Sequence, residues 1–123
     1  MLGMNYLDEI DQHFGYLIDH LGFQIVSHSF DPKFFSNFIV IYRRGELQLR
    51  LVRDRSQVFV DFSLDGERWH DKERILEALG VSMNRYKQDE IGLWEGYEIE
   101  NQGVDLREHF DLIARYLKSG GAV

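Results

Sequence analysis

The sequence predicts an α+β fold in which an N-terminal helix precedes a four-stranded antiparallel meander and two C-terminal helices pack on one sheet face. Apolar residues recur at helical spacing near both ends of the chain, whereas its middle alternates apolar and polar residues between turn sequences. Short turns favour antiparallel neighbours, because a parallel connection needs a dozen or more residues. Strands grouped together and flanked by helices indicate α+β rather than α/β.

An apolar stripe over residues 7–21 predicts the N-terminal helix. Its members recur at steps of three and four residues, which places them on one helix face: Leu7, Ile10, Phe14, Leu17, Ile18 and Leu21. Asn5 can cap the start by accepting a hydrogen bond from an unpaired backbone N–H, and Gly22 can end the helix in a left-handed conformation. A glycine inside a helix costs about 1 kcal/mol relative to alanine. We therefore interpret Gly15 as the position where this helix lies close to the sheet.

Period-two alternation and turn residues predict the strands and their connections. The four strands cover residues 23–30, 38–43, 46–53 and 57–63. Leu47, Leu49 and Leu51 share one face of the third strand, a pattern typical of a half-buried antiparallel sheet. After the break at Asp31-Pro32, residues 34–36 are predicted to form a short turn of helix.

Capping residues predict the two C-terminal helices. Asp71 precedes the first, over residues 72–79, and Gly80 ends it. The second begins at Asp105, with Glu108 at the spacing of a capping box. Its buried face is formed by Leu106, Phe110, Ile113 and Leu117. Residues 81–102 follow no clear pattern, and the whole chain, residues 1–123, is expected to form a single domain.

Composition excludes several classes of protein. The 123 residues contain no Cys, which excludes disulfide scaffolds, thiolate nucleophiles and cysteine-based metal sites. No basic residue precedes Lys33, as a signal peptide would require, and the longest apolar run, residues 34–42, is far shorter than the roughly 20 residues of a membrane span. We therefore expect a cytoplasmic protein that has no membrane partner.

No residue pattern predicts catalysis, a metal or a cofactor. The chain lacks glycine-rich phosphate loops and a Gly-x-Ser-x-Gly nucleophile motif. His13 and His20 share a helix side but lie about 10 Å apart by helix rise, too far for one metal. His28 follows Ser27, yet neighbours in a strand point to opposite faces. We predict that the protein is not an enzyme.

The net charge of −7 includes one basic stretch. Residues 42–55 contain five arginines against Glu46 and Asp54, which gives +3. These arginines are Arg43, Arg44, Arg50, Arg53 and Arg55. They predict a secondary basic patch that could bind phosphate or nucleic acid. The alternative is that they balance the acidic remainder of the surface, and the charge of the whole chain argues against a nucleic-acid partner.

The segment between residues 89 and 100 combines five acids and no base with two aromatic residues. Acids steer a basic partner, and buried aromatic side chains anchor it. The predicted partner-binding residues are Asp89, Glu90, Trp94, Glu95, Tyr97, Glu98 and Glu100. The alternative is that the two aromatic side chains pack over the core beneath a solvated loop.

Residues 49–61, LRLVRDRSQVFVD, resemble a segment of small acidic bacterial α+β proteins of the toxin-immunity type. Residues 35–40 and 69–71 fit the same pattern, and the resemblance covers about residues 20–80. The resemblance includes no known active site that could be transferred to this chain. It implies a non-enzymatic immunity protein of a contact-dependent inhibition or polymorphic toxin system, which neutralises a basic toxin such as a nuclease. The alternative is an adaptor or chaperone-like module that uses the open sheet face and forms a homo-oligomer.

Overall fold

The computed structural model describes residues 5–81 and 96–120. The helices are α1 (Tyr6–Phe14), α2 (Tyr16–Asp19), α3 (Lys72–Ala78) and α4 (Ile99–Lys118). The strands are β1 (Gln24–Asp31), β2 (Asn37–Arg44), β3 (Leu47–Asp54), β4 (Gln57–Ser63) and β5 (His70–Asp71). They form one antiparallel sheet in the order β1-β2-β3-β4-β5. The predicted α+β class and antiparallel meander are confirmed.

The sheet has an inner face that packs against the helices and an outer face that points away from them. Directly paired residues share a face, and the row Val40, Leu51 and Val60 is fully buried on the inner face. The same core includes Phe14 of α1 and Leu106 of α4. Within the described residues, no helix is both long and apolar enough to cross a membrane.

Two predictions about the helices are wrong in detail. The N-terminal helix stops at Phe14 and restarts at Tyr16, so Gly15 separates two helices. The close contact involves Gly103 of α4 instead, where an added Cβ would lie 2.6 Å from the His13 carbonyl oxygen. The last helix begins at Ile99 rather than Asp105. The apolar spacing did not predict its first turns, because buried polar residues interrupt that spacing.

The predicted number of strands and one predicted turn are also wrong. The sheet has a fifth strand, which at two residues is too short to show alternation. Residues 34–36 form no turn of helix: Phe35 and Ser36 are left-handed, with φ of 55° and 54°, and the Asn37 N–H donates to the Phe34 carbonyl. The left-handed pair therefore closes a turn inside the five-residue connection that joins Asp31 to Asn37.

Candidate protein-binding surface

An apolar row crosses the outer face of the sheet. The pairings place Ile39 of β2, Val52 of β3 and Phe59 of β4 side by side. Ile39 is 44% exposed, and the other two are half-buried. Solvated faces of antiparallel sheets usually carry polar side chains, so three adjacent apolar residues indicate a face suited to contact.

Tyr97 extends this row beyond the edge of the sheet. Its backbone carbonyl accepts a 2.7 Å hydrogen bond from the Val58 N–H, and its ring lies 5.0 Å from the Phe59 ring. We call Ile39, Val52, Phe59 and Tyr97 the outer stripe. Burial, supported by the nearby carboxylates of Glu73 and others, raises the pKa of Tyr97 to about 12. The phenol is therefore neutral at physiological pH and can donate a hydrogen bond.

Arg50, Asp61 and Trp69 form a second group on the outer face. Arg50 Nε and Nη2 donate to Asp61 Oδ2 at 3.1 and 2.9 Å. The guanidinium lies 4.3 Å from the centre of the Trp69 ring. Burial raises the pKa of Asp61, although the hydrogen bond and charge of Arg50 oppose that shift. Arg, Trp and Tyr are the residue types that most often dominate binding energy at protein interfaces.

Two of the predicted acidic residues, Glu98 and Glu100, lie at the start of α4 and have different surroundings. Glu98 Oε2 accepts hydrogen bonds from the Gly96 N–H at 3.0 Å and from Asn101 Nδ2 at 2.7 Å, so Glu98 holds the entry to the helix. Its own backbone N–H, with Asn101, lowers its pKa. Glu100 is exposed and lines a depression of about 310 Å³ that also includes Asp11 and Asp19.

The other predicted partner-binding residues lie outside the described residues; they are Asp89, Glu90, Trp94 and Glu95. The structure therefore places Tyr97, Glu98 and Glu100 within one short stretch at the β4 edge and the start of α4. The Tyr97 ring packs against Phe59, whose side chain lies on the outer face.

The five predicted basic residues are divided between the two faces. Arg44 and Arg53 lie on the inner face, where Arg44 Nη1 donates to the Leu21 carbonyl and Arg53 Nη2 to Glu9 Oε1, both at 2.9 Å. Arg43 and Arg50 lie on the outer face, and Arg55 lies in the β3–β4 turn beside Asp54. The structure does not bring these arginines together into one phosphate-sized site.

The sequence patterns did not predict a buried cluster of charged side chains around Lys72. Lys72 is fully buried between two carboxylates: its Nζ contacts Asp105 Oδ2 and lies 2.9 Å from Glu73 Oε1. Burial raises the pKa of Glu73, more strongly than the charge of Lys72 lowers it. A lysine in the first turn of a helix normally points to solvent, so the sequence offers no signal that this one is buried.

The same cluster contains three groups at metal-ligand spacing. Ligand atoms of Asp105, Glu108 and His109 lie within 4.8 Å of one another. The ammonium of Lys72 already neutralises Asp105 and would repel a cation there. His109 Nδ1 is also engaged, at 2.9 Å from the Asp105 carbonyl oxygen. The cluster is therefore best described as an internal ion-pair network.

Comparisons with protein-family models, with curated proteins and with solved structures find no match for this chain.

Proposed function

We propose that this chain is a non-enzymatic immunity protein that binds and neutralises a cognate basic bacterial toxin, such as a nuclease. The single observation that supports the proposal most is the outer stripe. It presents apolar surface on a sheet face that α1 to α4, the helices of the described residues, do not cover, and it ends at Tyr97, inside the acidic segment.

The composition of this surface fits a protein partner. Apolar and aromatic groups occupy its centre, and the Arg50–Trp69 pair stands beside them on the same face. Acidic side chains follow Tyr97 along the chain: Glu98 and Glu100 are exposed at the start of α4, and Glu100 lines the depression beside α1 and α2. An apolar centre supplies binding energy, whereas border charges set the association rate and the choice of partner.

The proposed mechanism is occlusion. A toxin that acts on nucleic acid needs a basic groove to hold the phosphate backbone. An acidic and aromatic surface that docks on this groove excludes the substrate, and no chemical step by the immunity protein is needed.

A second candidate function is that of an adaptor or chaperone-like protein-binding module. The apolar character of Ile39, Val52 and Phe59 favours it, since these residues require no basic partner. Salt dependence separates the two functions: affinity for a basic toxin falls with ionic strength, while docking through the apolar row alone changes little.

An immunity protein is expected to be encoded beside its toxin, so the test is co-expression with the product of a toxin gene found next to the gene for this chain. Cells that produce the toxin alone should die, and cells that also produce this chain should survive. The purified chain should abolish toxin activity at a one-to-one ratio. Continued killing despite soluble immunity protein, or inhibition without a stable complex, would rule out neutralisation by binding.

Reversing the charge of Glu100 should slow association with the toxin. We expect Glu100→Lys to reduce the association rate constant by about three- to tenfold at low salt, with little change in dissociation, because an exposed charge outside the contact area acts mainly through long-range steering. Glu100 is the cleaner position than Glu98, whose carboxylate holds the start of α4.

The matched control is Glu77→Lys, which makes the same change of charge at an exposed position of α3. Stopped-flow or surface-plasmon measurements at two salt concentrations separate the two variants. Equal effects of both substitutions would mean that only net charge matters and that Glu100 has no special place.

A further inference from the structure

The two edges of the sheet differ in how they are closed. At the β4 edge, β5 pairs with Asp61 and Phe62, and the Tyr97 carbonyl accepts a hydrogen bond from the Val58 N–H. At the other edge, seven of the eight residues of β1 are exposed. The strand contains no Lys or Arg, which edge strands commonly use to prevent pairing with another chain.

Exposed apolar side chains concentrate at the β1 edge, where no described strand pairs with β1 on its outer side. Among the described residues, nine large hydrophobic side chains are exposed, and four of them belong to β1 or to the turn after it: Val26, Phe30, Phe34 and Phe35. Phe34 and Phe35 are 64% and 66% exposed. A hydrophobic edge of this kind is expected to pair with another strand.

We propose that β1 is a self-association site, through which two copies of this chain pair antiparallel, edge to edge, about a two-fold axis at Ser29. The resulting dimer would have one continuous ten-stranded sheet. This inference is independent of the proposed function, since it concerns the edge of the sheet rather than the outer stripe.

The geometry of β1 selects this register. A bulge at Val26 interrupts the pairing with β2, so the unbroken run is Ser27 to Asp31. An axis at Ser29 uses all five residues of that run and keeps every pair on a common face. It places Ser27 opposite Asp31 of the second copy, and His28 opposite Phe30. No pair brings like charges together.

Aromatic side chains contact one another on the inner side of this edge. The Tyr6 ring stacks on the Phe30 ring with centroids 4.4 Å apart and planes inclined by 5°. The Tyr6 hydroxyl also contacts His28 Nδ1. Because the proposed pairing sets His28 beside Phe30 of the second copy, it joins two such aromatic clusters across the axis.

The turn after β1 contributes the remaining area. Continued past Asp31, the register sets Pro32 opposite Val26 of the second copy, itself 54% exposed, and Phe34 and Phe35 follow Pro32 in the turn. Two-thirds of a phenylalanine side chain is on the order of 100 Å². Four such side chains, with Val26, Phe30 and the strand edges, approach the roughly 1,000 Å² of a specific interface. The expected dimer is therefore weak and dissociates on dilution.

Single-cysteine crosslinking tests both the dimer and its register, because the natural chain has no Cys. In the proposed dimer, Ser29 of each copy faces Ser29 of the other within disulfide range. Ser29→Cys should therefore form a covalent dimer rapidly under mild oxidation. Ser27→Cys is the matched control on the same face of the same strand; its two copies would lie about 13 Å apart.

Sedimentation velocity of the unmodified chain over a wide concentration range provides a second measurement. We expect the dimer fraction to rise with concentration, and Phe34→Asp, at an exposed position, to suppress that rise. A monomer at every concentration, or crosslinking of Ser29→Cys no faster than that of Ser27→Cys, would overturn the proposal.

Discussion

Replacing Lys72 by methionine is expected to lower the free energy of unfolding by about 3–5 kcal/mol, because it leaves two buried carboxylates without their shared cation. The Lys72 ammonium lies between Asp105 and Glu73, and both Lys72 and Asp105 are almost completely buried. Methionine keeps the length of the side chain, so the effect reports charge rather than volume. The melting temperature should fall by roughly 10–20 °C.

Urea and thermal unfolding measure this loss. The control is Lys33→Met, the same substitution at an exposed position, which should change stability by less than about 0.5 kcal/mol. The double variant Lys72→Met/Asp105→Leu should recover part of the loss, because an apolar pair can replace a buried ion pair. A Lys72→Met protein less than about 1 kcal/mol below the natural chain would show that the network stabilises little.

The loss should also depend on pH. Burial raises the pKa of Glu73, so the folded state retains that proton at a higher pH than the unfolded state does. Such a group favours folding less as the pH rises above its unfolded pKa. Removing the Lys72 cation strengthens the effect. The destabilisation by Lys72→Met should therefore be smaller near about pH 4, where the carboxyls begin to protonate, than near about pH 7.

Replacing Ile39 by aspartate should weaken toxin binding by at least about 30-fold, which corresponds to roughly 2 kcal/mol at a central interface position. Ile39 is 44% exposed on the outer stripe, so the change leaves the core intact but sets a charge where the partner should be apolar. The desolvation of that charge adds to the loss of apolar contact.

Leu112→Asp is the matched control for this substitution. Leu112 has the same 44% exposure but lies on α4, away from the outer face. Calorimetric titration of both variants with the toxin, after circular dichroism has shown that both are folded, gives the comparison. If Leu112→Asp weakened binding as much as Ile39→Asp, the outer stripe would not be the interface.

Local sequence patterns were sufficient to predict most of the sheet. Alternation grouped Leu47, Leu49 and Leu51 on one face of β3, which is the buried one, because one side of the strand is buried and the other is not. Asn5 and Asp71 cap their helices as predicted, since capping depends only on near neighbours. The start of α4 could not be found this way, because the burial of Asp105 is explained by Lys72, which is distant in sequence, and Gln102 is bonded to the Gly96 carbonyl before the helix.

The candidate site was predictable only in part, for the same reason. The acidic segment is visible in the sequence, and so is the aromatic character of Tyr97. That Tyr97 meets Phe59 depends on how the chain passes the β4 edge, which is a tertiary property. The arginines appeared as a cluster because they are near in sequence, whereas strand alternation and separate ion pairs distribute them over both faces.

The most direct test of the account is to observe which surface changes environment when the toxin binds. Side-chain NMR of the labelled chain, titrated with an inactivated toxin, reports each surface separately. We predict large shifts or line broadening at Ile39, Val52, Phe59 and Tyr97, and little change at Ile18 and Leu112 on the helical side. Shifts confined to the helical side, with the outer stripe unchanged, would contradict the assignment of the outer face as the binding surface.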